Sequence, residues 1–328
     1  MTAPLAVLLL LAAGASAVAA SAALPAALQN HTDDPHYPIF HVRPDDGWHT
    51  NDPNGPFFFN GVFHLFSQCR KLAVRLPIPP GGWCHYASKD LVKWRRLGYP
   101  LRPDQPYDNI SLNTGSATIV DGVPTMVYPG IGSVTDGSVN HTCPNFRVPA
   151  LAGPCRMRIA VAQPKDLSDE WLTDWVKSPN NPVVDAPPAD IDAFWQDFTQ
   201  AWLGEDGRWW MLSGAGWRDA DRSSSPVPMC SAPDNRSFTA KNGWSCKAGD
   251  ELWIANTTTA GVVWPAHPGS GFSCPEFYGL PAPMPPTHRV FEGLGFPCDG
   301  DCYWLGKYDA ASRRYDPSGY SYRMYNCE

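Results

Sequence analysis

The stretch Trp48-His49-Thr50-Asn51-Asp52-Pro53-Asn54-Gly55-Pro56 carries the most information about fold in this sequence. Pro53 fixes its own φ and biases Asp52 towards extended geometry, while Asn54-Gly55 tolerates positive φ. The segment therefore predicts a rigid turn that holds Asp52 at the end of one strand, just before the next begins. A nucleophilic carboxylate needs such preorganised support. A turn with no chemical role is the alternative interpretation of this pentapeptide taken alone.

Further motifs flank this segment in a characteristic order. They are His41-Val42-Arg43-Pro44 before it, then Gly61-Val62-Phe63-His64-Leu65-Phe66-Ser67-Gln68, Trp83-Cys84-His85, Ser88-Lys89-Asp90-Leu91-Val92-Lys93-Trp94 and Thr114-Gly115-Ser116-Ala117-Thr118 after it. The set resembles the N-terminal part of glycoside hydrolase family 32, the invertases and fructan hydrolases. The resemblance implies a five-bladed β-propeller with its active site on the central axis. It also implies that Asp52 attacks the anomeric carbon of a fructosyl unit in sucrose or a β-fructan.

Composition independently indicates an all-β domain. Hydrophobic residues make up 43% of the 328 residues and charged ones 17%, which excludes global disorder. The 35 Pro and 28 Gly favour short strands joined by tight turns and exclude a helical bundle. Pattern alone leaves a sandwich, a barrel or a propeller open. A net charge of −7 without a basic cluster disfavours a nucleic-acid partner.

Short alternating segments predict the strands. They are Phe57–Asn60, Val62–Ser67, His85–Ser88, Ser116–Val120, Thr125–Tyr128, Met157–Ala162, Ala201–Leu203, Trp209–Ser213, Glu251–Ala255 and Cys302–Tyr308. Only Asp166–Thr173 and Ala310–Arg313 are predicted as short helices.

The N-terminus predicts a secretory route. Residues 1–22 are interpreted as a signal peptide, residues 23–39 as a polar lead-in and residues 40–328 as the propeller domain. An uncleaved anchor is the alternative for the apolar segment, and no other stretch is long enough to span a bilayer. Five Asn-X-Ser/Thr sequons agree with a secreted, extracellular or vacuolar glycoprotein; they begin at Asn30, Asn109, Asn140, Asn235 and Asn256.

Ten cysteines suit an oxidising compartment. Local spacing suggests disulfides Cys69–Cys84, Cys143–Cys155, Cys230–Cys246 and Cys298–Cys302, although connectivity cannot be deduced from sequence. A zinc site is the alternative, but no C-x2-C pair is followed by a second one.

The length raises a question about completeness. The resemblance implies that most of the last blade and the C-terminal β-sandwich of the family are missing. A truncated gene model, a fragment without function and a natural short form remain open.

A retaining glycosidase needs a nucleophile and a second carboxyl group that acts as acid and base. By resemblance, Asp197 matches the transition-state stabiliser, with Gln196 and Phe198 replacing the family's Arg and Pro. Ser273 stands where the family has its acid/base Glu, and a serine hydroxyl cannot be that acid near neutral pH. Glu276, three residues on, is a weaker substitute acid.

Five further residues carry over as substrate-binding positions, with core packing as the alternative for the aromatic ones. They are Asn51, Gln68, Trp83, Trp48 and Ser116. The resemblance implies no metal or other cofactor and a small carbohydrate as the partner; the oligomeric state is not predicted. The sequence thus predicts a β-fructofuranosidase acting through Asp52. The alternative is a catalytically impaired pseudoenzyme or fructose-binding module.

Overall fold

A computed structural model describes residues 41–45, 47–71, 81–133, 155–189, 191, 194–216, 227–251, 253–254, 271–279, 287–295 and 298–323. The side chains of some strand residues, including the segment 271–276, are not described. Within these residues no helix is long and apolar enough to cross a membrane.

The first two sheets are antiparallel. Sheet 1 contains β1 (Trp48–Phe59), β2 (Val62–Lys71), β3 (Gly82–Ser88) and β4 (Arg95–Leu101), in that spatial order. Sheet 2 contains β5 (Ser111–Leu112), β6 (Ser116–Val120), β7 (Val123–Ser133), β8 (Cys155–Pro164) and β9 (Trp175–Lys177). In sheet 2 both β5 and β6 pair with β7, followed by β8 and β9.

Two further sheets follow along the chain. Sheet 3 contains β10 (Phe194–Phe198), β11 (Trp202–Leu203), β12 (Trp209–Gly216), β13 (Pro228–Ala232) and β14 (Ser245–Glu251), with helix α1 (Asn235–Phe238) between the last two. Sheet 4 contains β16 (Gly271–Gly279), β17 (His288–Gly295), β18 (Cys298–Asp309) and β19 (Arg314–Arg323). The short β15 (Trp253–Ile254) pairs in parallel with β19, and β12 pairs with β16, which joins sheets 3 and 4.

The cores lie between successive sheets. Met126 and Tyr128 on β7 pack in a cluster with Trp83 of sheet 1, whereas Val127 packs in another cluster with Trp195 of sheet 3. Because successive strand residues point to opposite faces, β7 supplies both cores by alternation. A third cluster joins sheets 3 and 4. The all-β prediction is confirmed, and the series of four packed antiparallel sheets is that of propeller blades.

Strands of successive sheets also contact one another through hydrogen bonds. Gly55 on β1 donates its N–H to the Gly115 carbonyl just before β6, at 3.3 Å. The Ser116 hydroxyl on β6 donates to the Thr199 carbonyl, just after β10, at 2.6 Å. The bulged part of β1, the start of β6 and the end of β10 therefore meet, and this is where the candidate catalytic residues lie.

The prediction that residues 51–55 form a turn between two strands is wrong. The segment is part of a continuous strand, β1, which contains register shifts between Thr50 and Pro53 and between Asn54 and Phe57. Pro53 and Gly55 produce local bulges there and do not end the strand.

Both predicted helices are turns. Asp169 accepts the N–H of Trp171 at 3.0 Å and that of Thr173 at 2.7 Å, and Asp309 accepts the N–H of Ala311 at 3.0 Å. These side chains take the N–H groups that a helix would use, which favours turns. Helix α1 was not predicted; Asp234 caps it by accepting the Ser237 N–H at 2.8 Å.

Two of the predicted disulfides are confirmed. Cys69–Cys84 ties β2 to β3, and Cys230–Cys246 ties β13 to β14. Cys143 lies outside the described residues, as do the side chains of the other cysteines predicted to pair: Cys155, Cys298 and Cys302.

Two sequons fall on engaged asparagines. Asn109 is 8% exposed, and Asn235 accepts from Trp209 Nε1 at 2.7 Å while donating to Asp121. In the folded chain Asn109 is buried and the Asn235 side chain is hydrogen-bonded. The other three, at Asn30, Asn140 and Asn256, lie outside the described residues.

Candidate active site

Asp52 is exposed and lies in the bulged part of β1. Gly55 has φ +47°, and a Cβ there would lie 2.9 Å from Met126 Sδ and 3.2 Å from Ala117 Cβ. Glycine is therefore required for both the conformation and the close approach to sheet 2. The bulges take Asp52 out of the regular pairing with β2. The residues of β1 before and after the bulges remain paired with β2.

A chain of side-chain hydrogen bonds ends on the Asp52 carboxylate. Asn51 Nδ2 donates to Gln68 Oε1 at 2.6 Å, and Gln68 Nε2 donates to Thr114 Oγ1 at 2.8 Å. Thr114 Oγ1 in turn donates to Asp52 Oδ2 at 2.7 Å. One oxygen of the Asp52 carboxylate is therefore held by residues from β1, β2 and the segment before β6. Each side chain in this series donates its hydrogen bond towards Asp52.

The backbone at Asp52 is held as well. Ser67 Oγ donates to the Asn51 carbonyl at 2.6 Å. Asn54, which is 1% exposed, donates to the Asp52 carbonyl at 2.9 Å and accepts the Gly115 N–H at 2.9 Å. Asn54 thus fastens the bulge to the start of β6, so the second Asn of the motif has a structural function.

Asp197 lies at an irregularity of β10, between Gln196 and Phe198. It is 5% exposed and adopts φ +58°, a left-handed conformation that is unusual for a non-glycine residue. Gln196 Nε2 donates to Asp197 Oδ2 at 3.2 Å. An amide therefore occupies the place that the resemblance assigns to arginine, and it provides a neutral hydrogen bond in place of a cationic one.

Ser273 and Glu276 lie on β16, opposite Leu294 and Glu292 of β17, with a register shift between them. Their side chains are outside the described set. The neighbouring Phe272 pairs with Ala215 near the end of β12, the end that also pairs with β10. The backbone thus brings Ser273 to the same end of sheet 3 as Asp197.

Three predicted binding residues have structural contacts. Trp83 is 0% exposed and donates Nε1–H to the Asn113 carbonyl at 3.2 Å. Ser116 is 6% exposed and uses its hydroxyl on Thr199, and Trp48 packs edge-on against Tyr99 with ring centroids 5.2 Å apart. Their part in substrate binding stays a prediction. Asn51 and Gln68, by contrast, belong to the hydrogen-bond chain that reaches Asp52.

The sequence did not predict the hydrogen bonds of Thr114, Asn54 and Ser67 at the site. The one available signal was Thr114-Gly115 in the quoted motif. A Cβ on Gly115 would lie 2.1 Å from the Val127 carbonyl oxygen, so this glycine lets the chain pass close to β7 and brings Thr114 up to Asp52. The partners are 62 residues apart, too far for any local pattern.

Beside this site lies a buried histidine pair. His64 on β2 and His85 on β3 are 2% and 0% exposed, and their Nδ1 and Nε2 atoms are 3.0 Å apart. Burial lowers the pKa of His64 to about 4, although nearby Asp169 opposes the shift. Burial and the His64 charge hold the pKa of His85 well below its ordinary value. Both rings are therefore neutral near neutral pH.

A separate cleft lies elsewhere in the described part of the chain. It has a volume of about 700 Å³ and lies between the segments 100–107 and 175–185. Lys177 there bonds Asp108 at 2.6 Å and Asp104 at 2.8 Å. Asp52 and Asp197 do not line this cleft.

Comparison with known proteins identifies the family. The family model described as "Glycosyl hydrolases family 32 N-terminal domain" matches residues 41–225. A beta-fructofuranosidase of Arabidopsis thaliana, insoluble isoenzyme CWINV6, is 36% identical over 185 residues, which cover 56% of this chain and 30% of the relative. Insoluble isoenzyme 1 of Oryza sativa subsp. indica is 32% identical over 289 residues, 85% of this chain and 42% of the relative.

Solved structures agree. Fructan 1-exohydrolase IIa from Cichorium intybus in complex with 1-kestose aligns with a TM-score of 0.63 and 27% identity, over 86% of this chain and 46% of that one. A Bombyx mori beta-fructofuranosidase aligns with a TM-score of 0.59 at 19% identity, which supports the fold alone. The chain thus spans about half the length of these structures and less of the first curated relatives. On the match across residues 41–225, the chain belongs to glycoside hydrolase family 32.

Proposed function

We propose that this chain acts on β-fructofuranosides, sucrose or fructans, with Asp52 as the nucleophile of a retaining mechanism. The observation that carries the proposal is the exposed Asp52 carboxylate, fixed by Thr114 at 2.7 Å at the end of a directed hydrogen-bond chain. A nucleophile must be ionised, oriented and open to substrate, and Asp52 meets the last two conditions by geometry. The names of relatives, beta-fructofuranosidases and a fructan 6-exohydrolase, support this substrate class.

The proposed reaction has two steps. The free oxygen of Asp52 attacks the anomeric carbon of the fructosyl unit, and the bond to the leaving oxygen breaks. Water then attacks the fructosyl–enzyme ester and releases fructose, which gives retention. Asp197, near the end of the neighbouring β10, is proposed to hydrogen-bond fructose hydroxyls and to stabilise the positive charge that develops on the ring.

Protonation of the leaving oxygen is the demanding step for this chain. Position 273 is serine, and Glu276 is the substitute acid proposed in its place. General acid catalysis contributes about 10² to 10⁴ in rate. Leaving groups that need no proton should therefore react much faster than sucrose.

A second candidate function is fructoside binding without turnover. Two substitutions favour it: Ser273 at the acid/base position and the Gln196 amide, which bonds Asp197 at 3.2 Å. Under this alternative Asp52, Gln68 and Asp197 bind fructose hydroxyls and no bond is broken.

A leaving-group comparison tests both. Hydrolysis of sucrose and of a nitrophenyl β-fructofuranoside is measured for the unmodified chain and for Asp52→Asn, Ser273→Glu and Ser273→Ala. We expect turnover of the nitrophenyl substrate, its loss in Asp52→Asn, and sucrose cleavage raised about 10²-fold or more by Ser273→Glu but not by Ser273→Ala. Asp316→Asn, an exposed aspartate on β19, is the control that should change nothing.

The outcomes separate the candidates. Calorimetric binding of fructose with no turnover of the nitrophenyl substrate would identify the binding function and reject hydrolysis. Full activity of Asp52→Asn would reject the nucleophile. We further propose secretion to the extracellular space or the vacuole, supported by the confirmed disulfides and by a relative named as a cell wall isozyme. Mass spectrometry of the secreted chain tests the predicted cleavage near residue 22.

A further inference from the structure

The disulfide Cys69–Cys84 lies beside residues that hold the candidate nucleophile. Gln68 of β2 is paired with Trp83 of β3; Cys69 directly follows Gln68, and Cys84 directly follows Trp83. The disulfide therefore crosses the two antiparallel strands diagonally and spans the pair Gln68–Trp83. Because successive strand residues point to opposite faces, the disulfide lies behind these two side chains and acts on them through the backbone.

Both side chains of this pair hold the segment that carries Thr114. Gln68 Nε2 donates to Thr114 Oγ1 at 2.8 Å, and Trp83 Nε1 donates to the Asn113 carbonyl at 3.2 Å. Thr114 Oγ1 then donates to Asp52 Oδ2 at 2.7 Å. The two strands joined by the disulfide therefore hold neighbouring residues of a third segment, and a hydroxyl of that segment holds the Asp52 carboxylate.

The same part of β2 also holds the backbone next to Asp52. Ser67, which is paired with Cys84, donates its hydroxyl to the Asn51 carbonyl at 2.6 Å. The strand position of Ser67 is therefore fixed by the disulfide as well. Both the backbone before Asp52 and the carboxylate itself are thus held by residues next to one covalent link.

The disulfide lies where β2 and β3 would separate most easily. In the described register Cys69–Gly82 is the last pair at this end, and Gln68–Trp83 is the pair before it. Ends of paired strands open locally at a lower free energy than their centres. Trp83 is 0% exposed and is also held by its own packing, so opening would affect mainly Gln68, which is partly exposed. A covalent link at this position prevents that displacement.

We propose that Cys69 and Cys84 are positioning residues for the nucleophile: their disulfide fixes Gln68 and, through Thr114, the carboxylate of Asp52. Since it concerns the nucleophile, this role rests on the function proposed for Asp52. A shift of about 1 Å in the groups that position a reaction can lower its rate about 100-fold. Loss of the disulfide should therefore lower the rate as well as the stability of the fold.

The disulfide Cys230–Cys246 provides a matched control. It also joins neighbouring antiparallel strands, β13 and β14, and its cysteines are 16 residues apart, compared with 15 for Cys69–Cys84. Because disulfides that close loops of similar length restrict the unfolded chain similarly, removal of either should lower the urea midpoint by a similar amount. Only Cys69–Cys84 adjoins Gln68, so only its removal should also lower the rate.

The rate test compares Cys69→Ala/Cys84→Ala with Cys230→Ala/Cys246→Ala, by kcat for the nitrophenyl fructoside without urea. We expect kcat to fall about tenfold or more in the first double variant and to stay within about twofold in the second. Thr114→Val is then added to each. It should lower kcat about tenfold in the unmodified chain and in the control, but much less in Cys69→Ala/Cys84→Ala, where the positioning is already lost. A disulfide that only stabilises the fold would leave the effect of Thr114→Val the same in all three.

Hydrogen exchange followed by mass spectrometry gives a readout that does not need turnover. The Gly115 N–H donates to Asn54 Oδ1 at 2.9 Å, so its exchange reports how the segment that carries Thr114 lies against β1. We expect faster exchange at Gly115 in Cys69→Ala/Cys84→Ala and no change in the control. If the unmodified chain does not hydrolyse the nitrophenyl fructoside, the proposed function fails and exchange alone decides the role of the disulfide.

Three results would overturn this role: unchanged kcat in an active chain, unchanged exchange at Gly115, and equal effects of the two double variants. If Cys69→Ala/Cys84→Ala does not fold, partial reduction of the unmodified chain by dithiothreitol replaces it. The fraction of each disulfide reduced is then measured as alkylated thiols by mass spectrometry. Both kcat and Gly115 protection should fall with reduction of Cys69–Cys84, and a fall that instead follows reduction of Cys230–Cys246 would also reject the role.

Discussion

Replacing the buried histidine pair should remove a large part of the acid sensitivity of the fold. The perturbation is the double variant His64→Gln/His85→Gln, whose side chains do not titrate. In the native chain Phe57 stacks on His64 with centroids 4.6 Å apart, and Phe66 stacks on His85 at 4.2 Å. His64 Nε2 and His85 Nδ1 have no hydrogen-bond partner, so a proton added to either ring would place an unsolvated charge among aromatic side chains.

The sign follows from the lowered pKa. Above pH 6.5 both the folded and the unfolded chain hold neutral His64, and its contribution to stability is constant. Below pH 6.5 His64 binds a proton in the unfolded chain, whereas in the folded chain it stays neutral until about pH 4. The free energy of unfolding therefore falls as the pH is lowered from 6.5 to about 4. At pH 5 the loss for His64 is about 2 kcal/mol, and His85 adds to it in the same direction.

Urea unfolding followed by tryptophan fluorescence at pH 7.5 and pH 5 measures this difference. The native chain should lose at least about 2 kcal/mol more between the two pH values than the double variant does. The variant is expected to be less stable at pH 7.5, because ring stacking is lost, but that offset does not affect the pH difference. Equal losses in the native chain and the double variant would refute the reasoning.

Three other substitutions test separate contacts. Thr114→Val removes the hydroxyl that donates to Asp52; nitrophenyl fructoside hydrolysis should fall about tenfold with the urea midpoint unchanged, and an unchanged rate would show that the bond does not position the carboxylate. Gly55→Ala should lower the free energy of unfolding by about 1 to 3 kcal/mol, because φ is +47° and Met126 is close; no loss in urea would contradict the strain. Lys177→Met removes the cation that pairs with Asp108, which is 0% exposed. It should lower the free energy of unfolding in urea by about 3 to 5 kcal/mol. A loss under about 1 kcal/mol would mean that Asp108 is not charged in the folded chain.

Local features of the fold were predictable from sequence. The predicted strands Ser116–Val120 and Met157–Ala162 fall within β6 and β8, because short runs rich in apolar and β-branched residues favour strands. Cys69 and Cys84 pair because a hairpin places them on adjacent strands.

Features that depend on distant partners were not predictable. Pro and Gly at residues 53 and 55 predict a turn when read alone, but pairing with β2 on both sides keeps the segment in one strand. The predicted helix at Asp166–Thr173 failed because Asp169 bonds nearby N–H groups, a competition that propensity does not resolve. The hydrogen bond from Thr114 to Asp52 depends on the packing of sheet 2 against sheet 1, which no local sequence pattern shows.

The two irregularities of β1 have a consequence for how the site can vary. From Thr50 to Pro53, and again from Asn54 to Phe57, β1 advances three residues while β2 advances two. Each shift adds one residue, and an even total restores the original parity of inward and outward positions. Deleting one residue from 51–56 would make the residues on one side of the deletion change faces, which would expose Phe57. Deleting two residues would keep the inward-facing and outward-facing residues of β1 on their present faces. The bulged segment of β1 that carries Asp52 can thus be shortened or lengthened only in steps of two residues.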